Sequence, residues 1–412
     1  MKRLWFSVVT VAAVMTLGLS GALATTGATP GVSSTTIDIG ATFPLSGPVS
    51  FYAPIAKGMK AYFSYVNSRK ATDGRRGVNG RQIHFNVLDD QYIPANAVQA
   101  TRQLVEQDHV FAMVGGLGTA NQVAVRDYLN QMKVPQVFVS TGATTFGADY
   151  KKYPWTIGWQ PTYHAEGSAY AKYLNAHDSG AKVGVLYQND DYGHDYLNSF
   201  KEALKNKNQI VDEEGFEVTS PSPQSQVVKL KASGADTFLV LVTPTATIQS
   251  LVIAYKLGWK PKLYVNSVSA TDTFLTAAQR SAGSPDAVNG IITDQYLKDP
   301  GDASQRKDSG IKLYFRLMNK YGPSGARLTD ILYLYGMAKA RTFVTALYQA
   351  GKNPTRDSLM KAVRHLNEAN PFLLKGVKVQ TSPTDPYPIC NDQLVQYNNG
   401  SFTAKSELLK GC

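Results

Sequence analysis

The sequence predicts an α/β protein made of two doubly wound, Rossmann-like lobes. Three observations carry that expectation. Apolar runs of strand length alternate with amphipathic runs of helix length from Ile37 to Ser267. The alternation pauses once, at Tyr153–Thr162 (YPWTIGWQPT), where two prolines bracket an extended segment with two tryptophans. Finally, of 412 residues the 388 that follow Ala24 (412 minus 24) are too many for one comfortable hydrophobic core, so two domains are the default.

The first series begins with Ile37–Phe43, whose apolar residues alternate until Pro44. The Ser/Gly/Pro-rich turn LSGPVSFYA follows, then a helix carrying Met59, Ala61, Tyr62, Phe63, Tyr65 and Val66. Gln82–Leu88 reads as the second strand, and Asn96–Gln107 as a helix. Phe111–Thr145 then forms one βαβ unit. The strand Phe111–Val114 runs into the turn Gly115–Gly118, and a helix follows with Val123, Val125, Tyr128, Leu129 and Met132 as its apolar positions. The strand Val134–Val139 ends at a second small-residue turn. In an open parallel sheet, ligands lie outside the carboxyl ends of the strands, where these turns sit.

A second series predicts a helix over Tyr163–Asn175, a strand over Lys182–Tyr187, a turn at Asn189–Gly193 and a helix over Tyr196–Lys205. Strands at Ile210–Val218, Asp236–Val242 and Lys262–Val265 alternate with helices at Gln224–Ala232 and Thr247–Leu257. A polar loop then leads to the isolated strand Gly290–Tyr296. Long helices are expected over Ser304–Tyr321, Leu328–Ala350 and Arg356–Leu366, with apolar spacings of three and four. Late strands are expected at Gly376–Val379 and Gln393–Tyr397.

The amino terminus reads as a secretory signal. Lys2 and Arg3 precede an apolar run from Leu4 to Ser20, and Ala22-Leu23-Ala24 offers the cleavage site. Residues 1–24 are therefore expected to be removed, with a Ser/Thr-rich linker over 25–36. No cysteine stands near the site, which disfavours a lipid anchor. The formal charge of +11 comes from basic residues interspersed with acids, a solvated surface rather than a nucleic-acid footprint. Cys390 and Cys412 are the two cysteines; outside the cytoplasm a disulfide is favoured over two free thiols. No HExxH or paired-cysteine spacing points to a metal, and His164 and Glu166 in YHAEG read as a helix start. No GxSxG elbow, P-loop or GxGxxG fingerprint points to an enzyme.

Five fragments in order carry a resemblance: IDIGATFPLSGPVSFYAPIAKGMKAYFSYVN, GVNGRQIHFNVLDDQYIPANAVQATRQLV, VGGLGTANQVAV, VPQVFVSTGAT and VGVLYQNDDYGHD. From Ile37 onward the chain resembles extracytoplasmic solute-binding proteins of ABC importers, of the branched-chain amino acid (Leu/Ile/Val-binding) type. The resemblance implies a type I periplasmic binding protein clamshell, two lobes joined by a three-stranded hinge. The first lobe would span 37–155 plus 297–372, and the second 160–293 plus 384–412. Hinge strands would lie near 156–159, 294–296 and 373–383. It also implies a monomeric receptor without a cofactor that hands a small molecule to membrane permease subunits. A ligand-sensing role is the alternative that the fold permits.

The family's site residues carry over by position. Gly118 and Thr119 would receive a ligand carboxylate, together with Ala143 and Thr144. Tyr52 would cover the ligand, and Tyr192, Thr243 and Ser267 would contact it from the second lobe. One departure stands out. Amino-acid binders hold the ammonium group with an acid after a second-lobe strand, but Tyr264–Val268 carries none. Asp190, Asp191 and Asp294 are the acids that could substitute. The expected ligand is a branched-chain or other hydrophobic amino acid, or alternatively an aromatic or other hydrophobic carboxylate.

Overall fold

The structure, a computed structural model, describes Met1, residues 29–70 and residues 74–412. Apart from Met1, the expected signal peptide and the first part of the linker lie outside the described residues.

The first sheet is parallel and five-stranded, and its elements arrive in strict alternation. They are β1 (Thr36–Phe43), α1 (Ala53–Ser68), β2 (Gln82–Asp89), α2 (Pro94–Arg102), β3 (Ala112–Val114), α3 (Thr119–Gln131), β4 (Gln136–Val139), α4 (Thr145–Ala148) and β5 (Thr156–Gly158). The strand order β2-β1-β3-β4-β5 is doubly wound, as expected. β1 is buried along most of its length because both of its faces are covered by helices. α2 passes into a π turn at Gln103–Gln107, which accounts for the longer helix the sequence suggested. On α3, Val125 and Leu129 are buried as expected, but Met132 is exposed and Gln122 and Arg126 are buried instead. Gln122 donates to Thr42 Oγ1 at 3.0 Å, so the polar side chain is hydrogen-bonded within the core.

The second sheet repeats this order. Its elements begin α5 (Tyr163–His177), β6 (Val183–Gln188), α6 (Asp191–Ala203), β7 (Ile210–Phe216), α7 (Gln224–Ala232), β8 (Thr237–Leu241), α8 (Pro244–Lys256), β9 (Lys262–Val265), α9 (Asp272–Ala282) and β10 (Ile291–Gln295). After β10 the chain returns to the first sheet with α10 (Ser309–Tyr321), α11 (Ile331–Ala350) and α12 (Arg356–Val363). Their apolar faces join one core cluster with β1, α1 and β4. β11 (Asn367–Glu368) and β12 (Val379–Gln380) form a small ribbon. β13 (Asn391–Asn398), β14 (Ser401–Ala404) and β15 (Leu409–Lys410) then extend the second sheet. Its order is β14-β13-β10-β9-β8-β6-β7, with β15 on β13 and β13 antiparallel to β10. Cys390 and Cys412 are bonded, with Cα atoms 5.1 Å apart.

Three local expectations need correction. α6 starts at Asp191 rather than Tyr196, because the Asp190 carboxylate caps it, accepting from the N–H groups of Tyr192 and Gly193 at 3.0 and 3.2 Å. α8 starts at Pro244 rather than Thr247, since proline suits the first turn. The polar loop before β10 contains α9, capped by Thr271 and ended by Gly283 in the left-handed region. Only Phe274, Leu275 and Ala278 of α9 are buried, too few to show a helical period in the sequence.

Candidate ligand-binding site

The carboxyl ends of both sheets converge on one cavity of about 100 Å3. Six tyrosines line it among the described residues: Tyr52, Tyr92, Tyr163, Tyr192, Tyr296 and Tyr335. Burial pushes their hydroxyls above the ordinary range, so all six present neutral O–H groups.

The first-sheet wall is the glycine turn. Gly118 has a φ of 100°, and a Cβ there would come within 2.7 Å of the Tyr92 ring. Only glycine lets this turn lie against that aromatic. Thr119 opens α3, and its hydroxyl shares a 2.7 Å hydrogen bond with Thr141 Oγ1. Ser140 also lines the cavity, just past β4, and donates to Gly115 O at 2.6 Å. The preceding Phe138 has a φ of 57° at the β4–β5 register shift, a left-handed conformation unusual for an aromatic.

The second-sheet wall is acidic underneath. Ser267, after β9, lines the cavity, while its N–H and hydroxyl both donate to Glu166 of α5, at 2.6 and 2.7 Å. Tyr170 and Tyr196 donate to the same carboxylate at 2.6 and 2.8 Å. Burial raises the Glu166 pKa, and these four donors oppose the rise. With both donors engaged, Ser267 offers the cavity a hydroxyl oxygen as acceptor. Asp294 of β10 is 4% exposed, lines the cavity, and has no partner for Oδ2 among the described residues. Burial first, then the neighbouring Asp392 and Glu166, hold its carboxyl well above the usual range. The hydroxyl of Tyr192, stacked edge-on at 5.2 Å to Tyr163, is likewise unpartnered.

Of the residues singled out in the sequence, Tyr52, Gly118, Thr119, Tyr192, Thr243 and Ser267 therefore come together around one cavity. Ala143 and Thr144 do not line it. The N–H of Ala143 donates to Thr141 Oγ1 at 3.1 Å. Thr144 gives its N–H and hydroxyl to Asp195 of α6, at 2.8 and 3.0 Å. The Thr144 donors tie the start of α4 to α6, the Ala143 donor closes its own turn, and none of them is free for a ligand. Among the three substitute acids, Asp190 is consumed as the α6 cap and Asp191 is exposed, which leaves Asp294. Sequence reasoning missed Glu166, whose carboxylate stands directly behind the turn where an acid was sought. It also missed Lys339 of α11, wholly buried behind Ser140.

Contacts cross the cavity mouth. The Tyr52 hydroxyl donates to Val268 O at 3.0 Å, Thr245 donates to Pro48 O at 2.6 Å, and Arg327 pairs with Asp272 at 2.9 Å. Phe51 and Tyr52 meet Phe274 edge-on at 5.7 and 6.2 Å. No helix among the described residues is long and apolar enough to cross a membrane.

A search of curated proteins returned no significant match. Solved structures share the fold over nearly the whole chain. A fatty acid ABC transporter substrate-binding protein from Thermomonospora curvata is 22% identical, with a TM-score of 0.78, covering 93% of this chain and 94% of its own. A branched chain amino acid ABC transporter protein from Thermus thermophilus, solved with valine, is 17% identical with a TM-score of 0.78, covering 92% and 97%. A substrate-binding periplasmic protein from Ralstonia solanacearum is 22% identical with a TM-score of 0.77, covering 90% and 100%. The sequence itself matches the family profile described as periplasmic binding protein over residues 36–400. The chain belongs to the periplasmic binding protein family.

Proposed function

We propose that this protein is the extracytoplasmic receptor of an ABC-type importer, enclosing a small hydrophobic amino acid between its lobes for delivery to a membrane permease. The carrying observation is the unpartnered Asp294 carboxyl on the wall of a cavity that is otherwise aromatic, hydroxyl-lined and supplied by both sheets. A buried polar atom without a partner is costly, and a ligand ammonium group would relieve that cost. The ammonium would meet Asp294 and the Ser267 oxygen, with Glu166 behind them. The ligand carboxylate would face Gly118, Thr119 and Ser140, at the first turn of α3, where the helix dipole favours negative charge. The tyrosines would enclose the side chain. One chain supplies every wall, which suits a monomer. The strand segments that pass between the sheets, near 156–159, 294–296 and 373–383, are the proposed hinge. Domain closure about such a hinge is a motion common to periplasmic binding proteins as a class.

A second reading rests on the same acid. Held protonated, Asp294 carries no charge to pair with an ammonium, and the ligand is then an aromatic or other hydrophobic carboxylate. A thermal-shift screen with leucine, isoleucine, valine, hexanoate and benzoate separates the two. A ligand at a hundred times its dissociation constant stabilises the native state by about 2.7 kcal/mol, readily seen as a higher melting temperature. Stabilisation by an amino acid supports the first reading, and stabilisation by hexanoate or benzoate alone supports the second. No response to any of them counts against the cavity as a site for this ligand class.

A further inference from the structure

Lys339 sits on α11 with its side chain fully buried, yet no ion pair of Lys339 is found among the described residues. Its Nζ contacts the Gly115 carbonyl at 3.2 Å and the Ser140 hydroxyl, and lies over the rings of Tyr335 and Phe43, 4.6 and 5.8 Å from their centroids. A carbonyl, a hydroxyl oxygen and two ring faces are all partners for a cation. Only the counter-charge is missing, and burial without one holds the amine's pKa well below the ordinary lysine value. Gly115 makes the room for this arrangement: its φ is 77°, and a Cβ there would come within 3.0 Å of Lys339 Cε.

The missing charge has one open direction. Ser140 and Tyr335, both in contact with the amine, line the cavity, as does Gly118 three residues beyond Gly115. The amine therefore lies one side chain behind the wall where the glycine turn and the start of α3 face the cavity. Every other cavity acid belongs to a different region: Asp294 to β10, Asp272 to α9 and Asp299 to the loop after β10.

We infer that Lys339 supplies the positive charge against which the ligand's carboxylate is held, acting through Ser140, so that the cavity selects organic anions over uncharged compounds of the same shape. This rests on the ligand-binding reading proposed above. Lys339 is a positioning and selectivity residue: its amine donates to both Ser140 Oγ and Gly115 O, so the Ser140 O–H, given to Gly115 O in this structure, can turn to a ligand while that carbonyl stays satisfied, and its charge sets the field at that end of the cavity. The low local dielectric screens a buried charge little, so leaving it unpaired is costly and a ligand anion that pairs with it relieves that cost.

The test compares carboxylates with their amides in wild type and Lys339→Met: leucine with leucinamide, hexanoate with hexanamide, and benzoate with benzamide. Dissociation constants are measured by calorimetry, and melting temperatures without ligand. The expected wild-type result is at least a tenfold preference for the carboxylate in each pair that binds. In Lys339→Met the two members should come within about twofold, with the ligand-free melting temperature unchanged or higher, because a buried amine without an ion-pair partner has gone. The inference is overturned if wild type shows no preference, if the variant keeps it, or if the variant melts lower and loses both members equally. Should Lys339→Met not fold, Ser140→Ala removes the intermediary alone. At least a threefold fall in preference is then expected, and full retention overturns the inference. Failure of all six compounds to bind wild type is a separate result, which counts against the cavity reading itself.

Discussion

The two halves of the molecule share a topology and differ in charge. Each starts as a sheet in the order second-first-third-fourth-fifth strand, β2-β1-β3-β4-β5 and β7-β6-β8-β9-β10. Around the cavity, however, the first half offers neutral hydroxyls and glycines with a buried amine behind them. The second offers Ser267 and Asp294 with Glu166 and Asp392 behind. Two of these four groups come from outside the repeated βα series: Lys339 arrives on α11 and Asp392 on the antiparallel β13, whereas Glu166 stands on α5 and Asp294 on β10. The repeated architecture brings strand ends to a common place. The added segments contribute to the polarity of that place, which fits the proposed binding of opposite ends of one ligand by the two walls.

The sharpest way to break this contrast is at Glu166. Replacing it with alanine leaves four donors without their acceptor and should cost about 3–5 kcal/mol of stability in chemical denaturation. A loss under about 1 kcal/mol would mean that the acid does not organise the second wall. The next effect is in pH. Asp392 is raised from 3.8 to about 7, by burial first and then by Glu166. Between those values the folded state binds more protons than the unfolded chain, so this group's contribution to stability falls as pH rises from about 4 to about 7. Asp392→Asn should flatten that part of the stability–pH profile, and an unchanged slope would refute the assignment. The smallest effect is a paired comparison in the first half. Thr119→Val should weaken a carboxylate ligand about tenfold while costing under about 1 kcal/mol of stability. Thr144→Val, which loses its bond to Asp195, should cost about 1 kcal/mol and leave affinity unchanged. Reversal of that pattern would exchange the two residues' roles.

Hydrophobic period and turn chemistry made the alternating elements legible, and the family resemblance carried by the turn segments pointed to Gly118, Thr119 and Tyr52, which line the cavity. Local signals misled where a distant partner decides. Thr144 looks like a free hydroxyl beside Ala143, but its partner Asp195 is 51 residues away. Ser267 meets Glu166 across 101 residues, and Lys339 meets Ser140 across 199. No spacing rule within a segment reaches that far. Glu166 was legible as part of a helix start, which it is, but not as the acid behind the β9 turn. α9 escaped for a different reason: its capping residues Thr271 and Gly283 were present, but three buried side chains gave no period to read.

The contacts across the cavity mouth have a kinetic consequence. Thr245 to Pro48, Tyr52 to Val268 and Arg327 to Asp272 join the two sides, and the first and last of these involve no residue proposed to touch ligand. If the lobes part about the proposed hinge, these bonds must break each time, whatever the cargo. On the proposed function they would set the dwell time of a bound molecule by a common factor, while Thr119, Asp294 and Lys339 would set which molecule is held. A receptor that must release its cargo to a permease thereby has two separate controls, residence and choice, and Thr245 lies on the first alone.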